Sequence, residues 1–321
     1  MPRYRDALPR PSDGLFVTDG GLETVLIFHE GFELPQFAAF VLLDSEEGQA
    51  ALARYYRAYA DVARDLGLGL LLESMTYRAS EDWGEKLGLG PDRVADANRR
   101  GIRFLEAIRE EYDDVIDRVV ISGCMGPRFS GYHADERMTV DESADYHRSQ
   151  ISTLARTEAD LVSAYTLPYA DEGAGIALAA RDEAMPVVIS FTVETDGRLP
   201  SGETLREAVE HVDEVSAGTP AWYMVNCAHP THFVDVLDTG AWTDRIRAVR
   251  ANASAKSHAE LDESPTLDEG DRTELARCHL ELADRLRKLT VVGGSCGTDH
   301  RHVARLCGTL SATQPDEDTK T

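Results

Sequence analysis

VVISGCMGP (119–127), SADYHRSQISTLARTEA (143–159) and DLVSAYTLPY (160–169) are the segments that decide how this chain folds. The first and third are short apolar runs that close on small or polar residues, the pattern of a strand buried on both faces. The middle segment repeats its apolar residues at three- and four-residue spacing, the period of an amphipathic helix. Strand, helix and buried strand in succession form a parallel β/α crossover.

Outward from this unit the same rhythm recurs. Further apolar runs are LFVTDGG (15–21), GLLLESMTY (69–77), MPVVISFTVE (185–194), AWYMVNCAHP (221–230), IRAVRANAS (246–254) and LTVVGGSCG (289–297). SEEGQAALARYYRAYADVARDLG (45–67) and DRVADANRRGIRFLEAIREEY (92–112) carry the helical period between them. Eight such runs predict one α/β domain, a (β/α)8 TIM barrel over 13–310, preceded by an extension (1–12). An acidic tail, 311–321, is expected to be disordered. A doubly wound sheet is the rival architecture, but no GxGxxG loop is present.

The chain has 321 residues and a net charge of −24, and only four of its 33 basic residues are lysines. An acidic surface repels phosphate backbones, so nucleic acid is not an expected partner. No apolar run reaches the ~20 residues of a membrane span, and residues 1–14 lack a secretory apolar core. A cytoplasmic protein is expected. Acidity with scarce lysine also suits a high-salt cytoplasm, where repulsion is screened; equal stability with and without molar KCl would contradict that hypothesis. The sequence leaves open whether the chain forms a homo-oligomer.

The five cysteines are not a disulfide framework. Cys278 and Cys307 fall in helical patterns and read as buried apolar residues. Cys227 and Cys296 instead follow strands 6 and 8, on the rim where a barrel builds its active site. Two thiols on one rim are the start of a soft-metal centre, with zinc the first candidate. The segment 253–271 reads as a lid or a solvated loop, with His258 and Glu260 on its surface. Asp19 reads as a rim ligand, with a helix cap as the alternative.

DGGLETVL (19–26), MTYRAS (75–80), GCMGP (123–127), ISFTV (189–193), VNC (225–227) and GGSCGT (293–298) together resemble the homocysteine S-methyltransferase family, from about Asp13 to about Leu310. That resemblance implies a (β/α)8 barrel in which zinc activates a thiol. A small sulfonium or ammonium donor then methylates it, most simply converting homocysteine to methionine. It maps Cys227 and Cys296 onto two of three zinc ligands, and Ser295 onto the third, where the family has cysteine. It maps Asp19, Gly20 and Gly21 onto a substrate-binding loop, with Tyr165 and Asn252 beside the substrate. Tyr165 stands where the family commonly has Glu, and Met75 where Asn is common. Asp299, His300, His229 and His258 are the groups near enough in sequence or on the rim to replace the missing thiol. The partners implied are a small-molecule thiol and a methyl donor. The alternatives are a divergent barrel enzyme on another small substrate with altered or no zinc, and a non-catalytic binding paralogue.

Overall fold

The structure is a computed structural model describing residues 1–313. Eight parallel strands close in sequence order into a barrel. They are β1 (Phe16–Val17), β2 (Gly69–Glu73), β3 (Val119–Met125), β4 (Leu161–Leu167), β5 (Val187–Phe191), β6 (Trp222–Asn226), β7 (Ile246–Ala251) and β8 (Val291–Gly294). β1 pairs with β8 through Phe16↔Val291 and Val17↔Val292, which closes the ring. The predicted (β/α)8 architecture is therefore observed, one strand in each of the eight apolar runs.

The outer helices are α1 (Glu46–Leu66), α2 (Pro91–Tyr112), α3 (Val140–Ala155), α4 (Ala170–Asp182), α5 (Leu205–Ser216), α6 (Arg272–Arg285) and α7 (His300–Ser311). Their ends follow local chemistry. Ser45 caps α1 by accepting from the Gly48 N–H, and Gly67 ends the helix at φ 65, where a side chain would be strained. Thr139 and Glu142 close a reciprocal capping box on α3, as Thr204 and Glu207 do on α5. The crossover from β6 to β7 has no full-length helix; the four-residue helix Pro230–Phe233 stands in its place.

Two apolar layers result. Leu71, Val120, Leu161, Val188, Trp222 and Met224 fill the barrel, while a larger cluster lies between strands and helices. The N-terminal extension closes the bottom of the barrel. Tyr4 and Leu8 pack against the interior cluster, and the Tyr4 N–H donates to Asp160 Oδ1 at 2.7 Å. The Arg5 guanidinium reaches the carbonyls of Ala155 and Ala159. With the floor sealed, the top rim is the open end.

Two sequence expectations change. His258 is buried at 8% exposure rather than on a loop surface; it opens the short helix His258–Asp262, capped by Ser257 with Glu260. The acidic tail was expected from residue 311, but Ser311 completes α7, and 314–321 lie outside the described residues. Among the described residues no helix is long and apolar enough to cross a membrane.

Candidate active site on the upper rim of the barrel

β6 ends at Asn226, which shapes the following turn. Its Oδ1 accepts from the Thr166 N–H at 2.9 Å and from the Ser190 hydroxyl at 2.6 Å. Its Nδ2 donates to Thr166 Oγ1 at 2.8 Å and to Cys227 Sγ at 3.2 Å. Cys227 and Thr166 both take left-handed backbone conformations, at φ 54 and 58. Each costs on the order of 1 kcal/mol in a non-glycine residue, so the surrounding bonds must over-determine the turn. Asn252, just past β7, adds a bond from Nδ2 to the Cys227 carbonyl at 3.0 Å, leaving its own Oδ1 buried without a partner.

Against this turn packs the loop after β8. Ser295 Oγ lies 2.8 Å from Cys227 Sγ. Cys296 donates its thiol to Cys227, and with the hydroxyls of Ser295 and Tyr132 it holds the Cys227 thiol well below the usual cysteine range against the opposing cost of burial. The same shared proton, with burial, pushes Cys296 up. The Tyr132 ring lies against that of His258, with centroids 4.4 Å apart and the planes tilted by 33°. His258 Nε2 lies 3.3 Å from Thr192 Oγ1 and 3.2 Å from the Val193 carbonyl.

Beneath the thiols lies a buried charge network. Arg250, at the end of β7, pairs with Asp19 Oδ1 at 2.9 Å and donates to the carbonyls of Gly20 (2.7 Å) and Gly294 (2.9 Å). Its guanidinium lies 5.0 Å from the Tyr165 ring centroid. The hydroxyls of Tyr165 (2.8 Å) and Ser163 (3.0 Å) both donate to Glu73 Oε1, while Glu73 Oε2 has no partner. Burial pushes the Glu73 carboxyl up to about 7, with Arg250 opposing. Glu23, in the first turn after Gly21, is pushed up to about 7 by burial, and the charges of Asp19 and Cys227 act in the same direction.

The structure gathers the residues singled out from sequence on one rim, but with different occupations. Asp19 does not cap the next helix, whose N-cap Gly21 has no side-chain bond. Both Asp19 oxygens are engaged, Oδ1 by Arg250 and Oδ2 by the Tyr55 hydroxyl at 2.8 Å. Gly20 and Gly21 are needed for close packing: a Cβ on Gly20 would lie 2.4 Å from Tyr59 Oη, and one on Gly21 2.6 Å from the Ser295 carbonyl. The Gly21 N–H is already donated to Thr298. Tyr165 turns its hydroxyl inward to Glu73. Of the four candidate replacement ligands, His258 packs on Tyr132, a hydrogen-bond partner of Cys227. Asp299 caps α7 and pairs with His302 and Arg301. His229 caps the Pro230 helix and is pushed down to about 4 by burial. The ring of His300 lies 6.5 Å from that of Tyr59.

Sequence reasoning missed Arg250, Glu23 and Tyr132. Arg250 had a signal, a cation inside the apolar run IRAVRA; Tyr132 had none, because its loop reaches the thiols only in three dimensions.

Among the described residues one trio of His, Asp and Glu brings its ligand atoms together, His29, Glu269 and Asp299. His29 Nε2 lies 2.8 Å from Glu269 Oε1, and Arg301 contacts both carboxylates. A guanidinium at the centre makes this an ion-pair lattice rather than a cation site. At the thiols the donor set is two sulfurs and one hydroxyl oxygen. Two adjacent thiols fit zinc, and the oxygen makes a weaker third ligand than sulfur.

The homocysteine S-methyltransferase family model matches residues 16–310. Homocysteine S-methyltransferase 1 of Brassica oleracea var. italica is 23% identical over 244 residues, 70% of this chain and 71% of its own. Homocysteine S-methyltransferase 2 of Arabidopsis thaliana is 23% identical over 285 residues, 79% and 81% of the two chains. The metallated form of the homocysteine methyltransferase MmuM from Escherichia coli has a TM-score of 0.70 at 19% identity, covering 92% of this chain and 96% of that one. The oxidized form of the same enzyme gives 0.71 at 18% identity over the same shares.

Proposed function

Because the chain belongs to the homocysteine S-methyltransferase family over residues 16–310, and is accordingly an S-methyltransferase acting on homocysteine, we propose that methyl transfer takes place at the Cys227–Cys296 pair. The methyl group comes from a small sulfonium or ammonium donor. The observation that carries this reading is the meeting of two thiols and the Ser295 hydroxyl at one point, with Ser295 Oγ 2.8 Å from Cys227 Sγ.

Cys227 and Cys296 are the zinc ligands in this reading, with Ser295 Oγ third. Zinc so held would accept the substrate sulfur and keep it as a thiolate near neutral pH. The protein's own part is positional. Asn226 and Asn252 fix the Cys227 turn, so the sulfur that faces the substrate does not drift. Tyr132, hydrogen-bonded to Cys227, excludes water and offers a π face to a cationic donor. Attack by the substrate sulfur on the donor methyl carbon forms the new S–CH3 bond as the old bond to sulfur or nitrogen breaks, and the neutral donor leaves. Glu23, in the first turn after Gly21 and acted on by the charge of Cys227, is the carboxyl that would hold the ammonium of an amino-acid substrate, a role the engaged Asp19 is not free to fill. Five free thiols accord with a reducing, cytoplasmic setting.

The test pairs homocysteine with S-methylmethionine, S-adenosylmethionine and betaine in turn, and follows methionine formation alongside metal content. Turnover with one donor, and loss of both turnover and about one zinc per chain in Cys227→Ala, is the expected result. Zinc-free protein with full turnover would remove the metal from the mechanism. Absence of turnover with every donor and thiol would favour a binding role.

A further inference from the structure

MTYRAS, the loop after β2, contains a cation that the site described so far does not use. Arg78 has its Nε and Nη1 atoms buried without a hydrogen-bond partner. Its guanidinium lies 3.8 Å from the centre of the Trp83 ring and 4.6 Å from that of Tyr77. Trp83 is itself pinned by donation from Nε1 to the Pro127 carbonyl at 3.2 Å, and the Lys86 ammonium lies 3.8 Å from its ring centre. The guanidinium is thus oriented by aromatic rings rather than by a carboxylate. That is a costly way to hold a charge, since buried donors are nearly always paired. It also stands out in a chain carrying 57 acidic residues; among the described residues, none comes within ion-pair distance of Arg78.

The position of Arg78 identifies what is missing. Tyr77, whose ring it contacts, lies against Gly126 at the end of β3. Thr166, at the end of the neighbouring β4, donates from Oγ1 to Cys227 Sγ at 3.8 Å. Arg78 therefore sits on the rim that carries the thiols, with the Tyr77 ring beside it. That placement suits a short molecule with sulfur at one end and an anion at the other. A planar guanidinium matches a carboxylate through two parallel N–H bonds.

We propose that Arg78 anchors the α-carboxylate of an amino-acid partner in methyl transfer. The partner is either the thiol acceptor or the methyl donor, and the carboxylate supplies the bonds that the half-buried guanidinium lacks. The inference rests on the methyl-transfer reading of the same site.

The experiment compares wild type with Arg78→Gln and Arg78→Lys, using partners with and without the carboxylate. The acceptor arm sets homocysteine against 3-aminopropane-1-thiol; the donor arm sets S-methylmethionine against its decarboxylated (3-aminopropyl)dimethylsulfonium analogue. In one arm, Arg78→Gln is expected to raise KM for the carboxylate-bearing partner about 10- to 100-fold, the effect of losing a charge-assisted pair. It should leave kcat and the decarboxylated analogue nearly unchanged. The arm that responds names the source of the carboxylate. Arg78→Lys keeps the cation without the fork and should give a smaller rise; it is the variant read if the glutamine protein fails to fold. Equal effects on carboxylated and decarboxylated partners in both arms, or no effect in either, would overturn the proposal and leave Arg78 as aromatic packing. If wild type methylates no thiol, the methyl-transfer reading fails separately. Calorimetry with homocysteine, S-methylmethionine and their decarboxylated analogues then decides Arg78: loss of the carboxylate-dependent affinity in the variants upholds it, and unchanged affinities overturn it.

Discussion

Replacing Arg250 with methionine tests whether the charge network under the thiols holds the rim together. Arg250 and Asp19 are 8% and 5% exposed, so their 2.9 Å ion pair is screened little by water. Methionine fills much of the volume but strands the Asp19 carboxylate, which keeps only Tyr55 and Thr18 as donors. It also strips the side-chain donor from the Gly20 and Gly294 carbonyls. Removing one partner of a buried pair typically costs about 3–5 kcal/mol, because the remaining charge is uncompensated. The expected result is a loss of that size in urea unfolding, seen as a lower midpoint at constant m. Asp19→Asn in the Arg250→Met background should then cost about 1–3 kcal/mol less than it does alone. A single-variant cost under about 1 kcal/mol, with additive behaviour in the double variant, would refute the network as a structural tie between β1, β7 and β8.

Glu73→Gln tests the carboxyl held at about 7 in the folded barrel. A raised folded pKa means the native state binds more protons than the unfolded chain, so this group's stabilisation is full below the unfolded value and lost as pH rises through about 7. The glutamine variant should match wild type near pH 4.5 and be more stable by up to about 3 kcal/mol at pH 8; parallel stability–pH curves would contradict the assignment. Gly20→Ala places a Cβ 2.4 Å from the fully buried Tyr59 hydroxyl and 2.9 Å from the Thr298 carbonyl. It should destabilise by about 1–3 kcal/mol, with partial rescue by Tyr59→Phe in thermal melts; no loss would mean that the loop gives way freely. Ser295→Cys supplies a third sulfur beside Cys227 and should raise zinc affinity in competition with a chromophoric chelator. Unchanged affinity would remove residue 295 from the metal's first ring of donors.

The barrel was legible because it is written in local periodicity. Each of the eight strands lies within an apolar run, and each long helix follows the three–four spacing of its segment. Strand order in a parallel barrel fixes which ends face the same way, so Cys227 and Ser295, from the loops after β6 and β8, could be expected on one rim, and Ser295 Oγ lies 2.8 Å from Cys227 Sγ. What could not be read was the occupation of each group. Asp19 looked free to bind a ligand, yet Arg250 and Tyr55 take both its oxygens. His258 looked like loop surface, yet it is buried against Tyr132.

The sequence by itself determined the fold and the family, because those depend on the order and spacing of residues along the chain. Only the tertiary structure decided which groups are already paired and which are left over. Partners such as Arg250 and Asp19, or Tyr132 and Cys227, come from distant segments. Whether a charge is spent or available depends on distances that the barrel's closure sets, not on anything local to either residue.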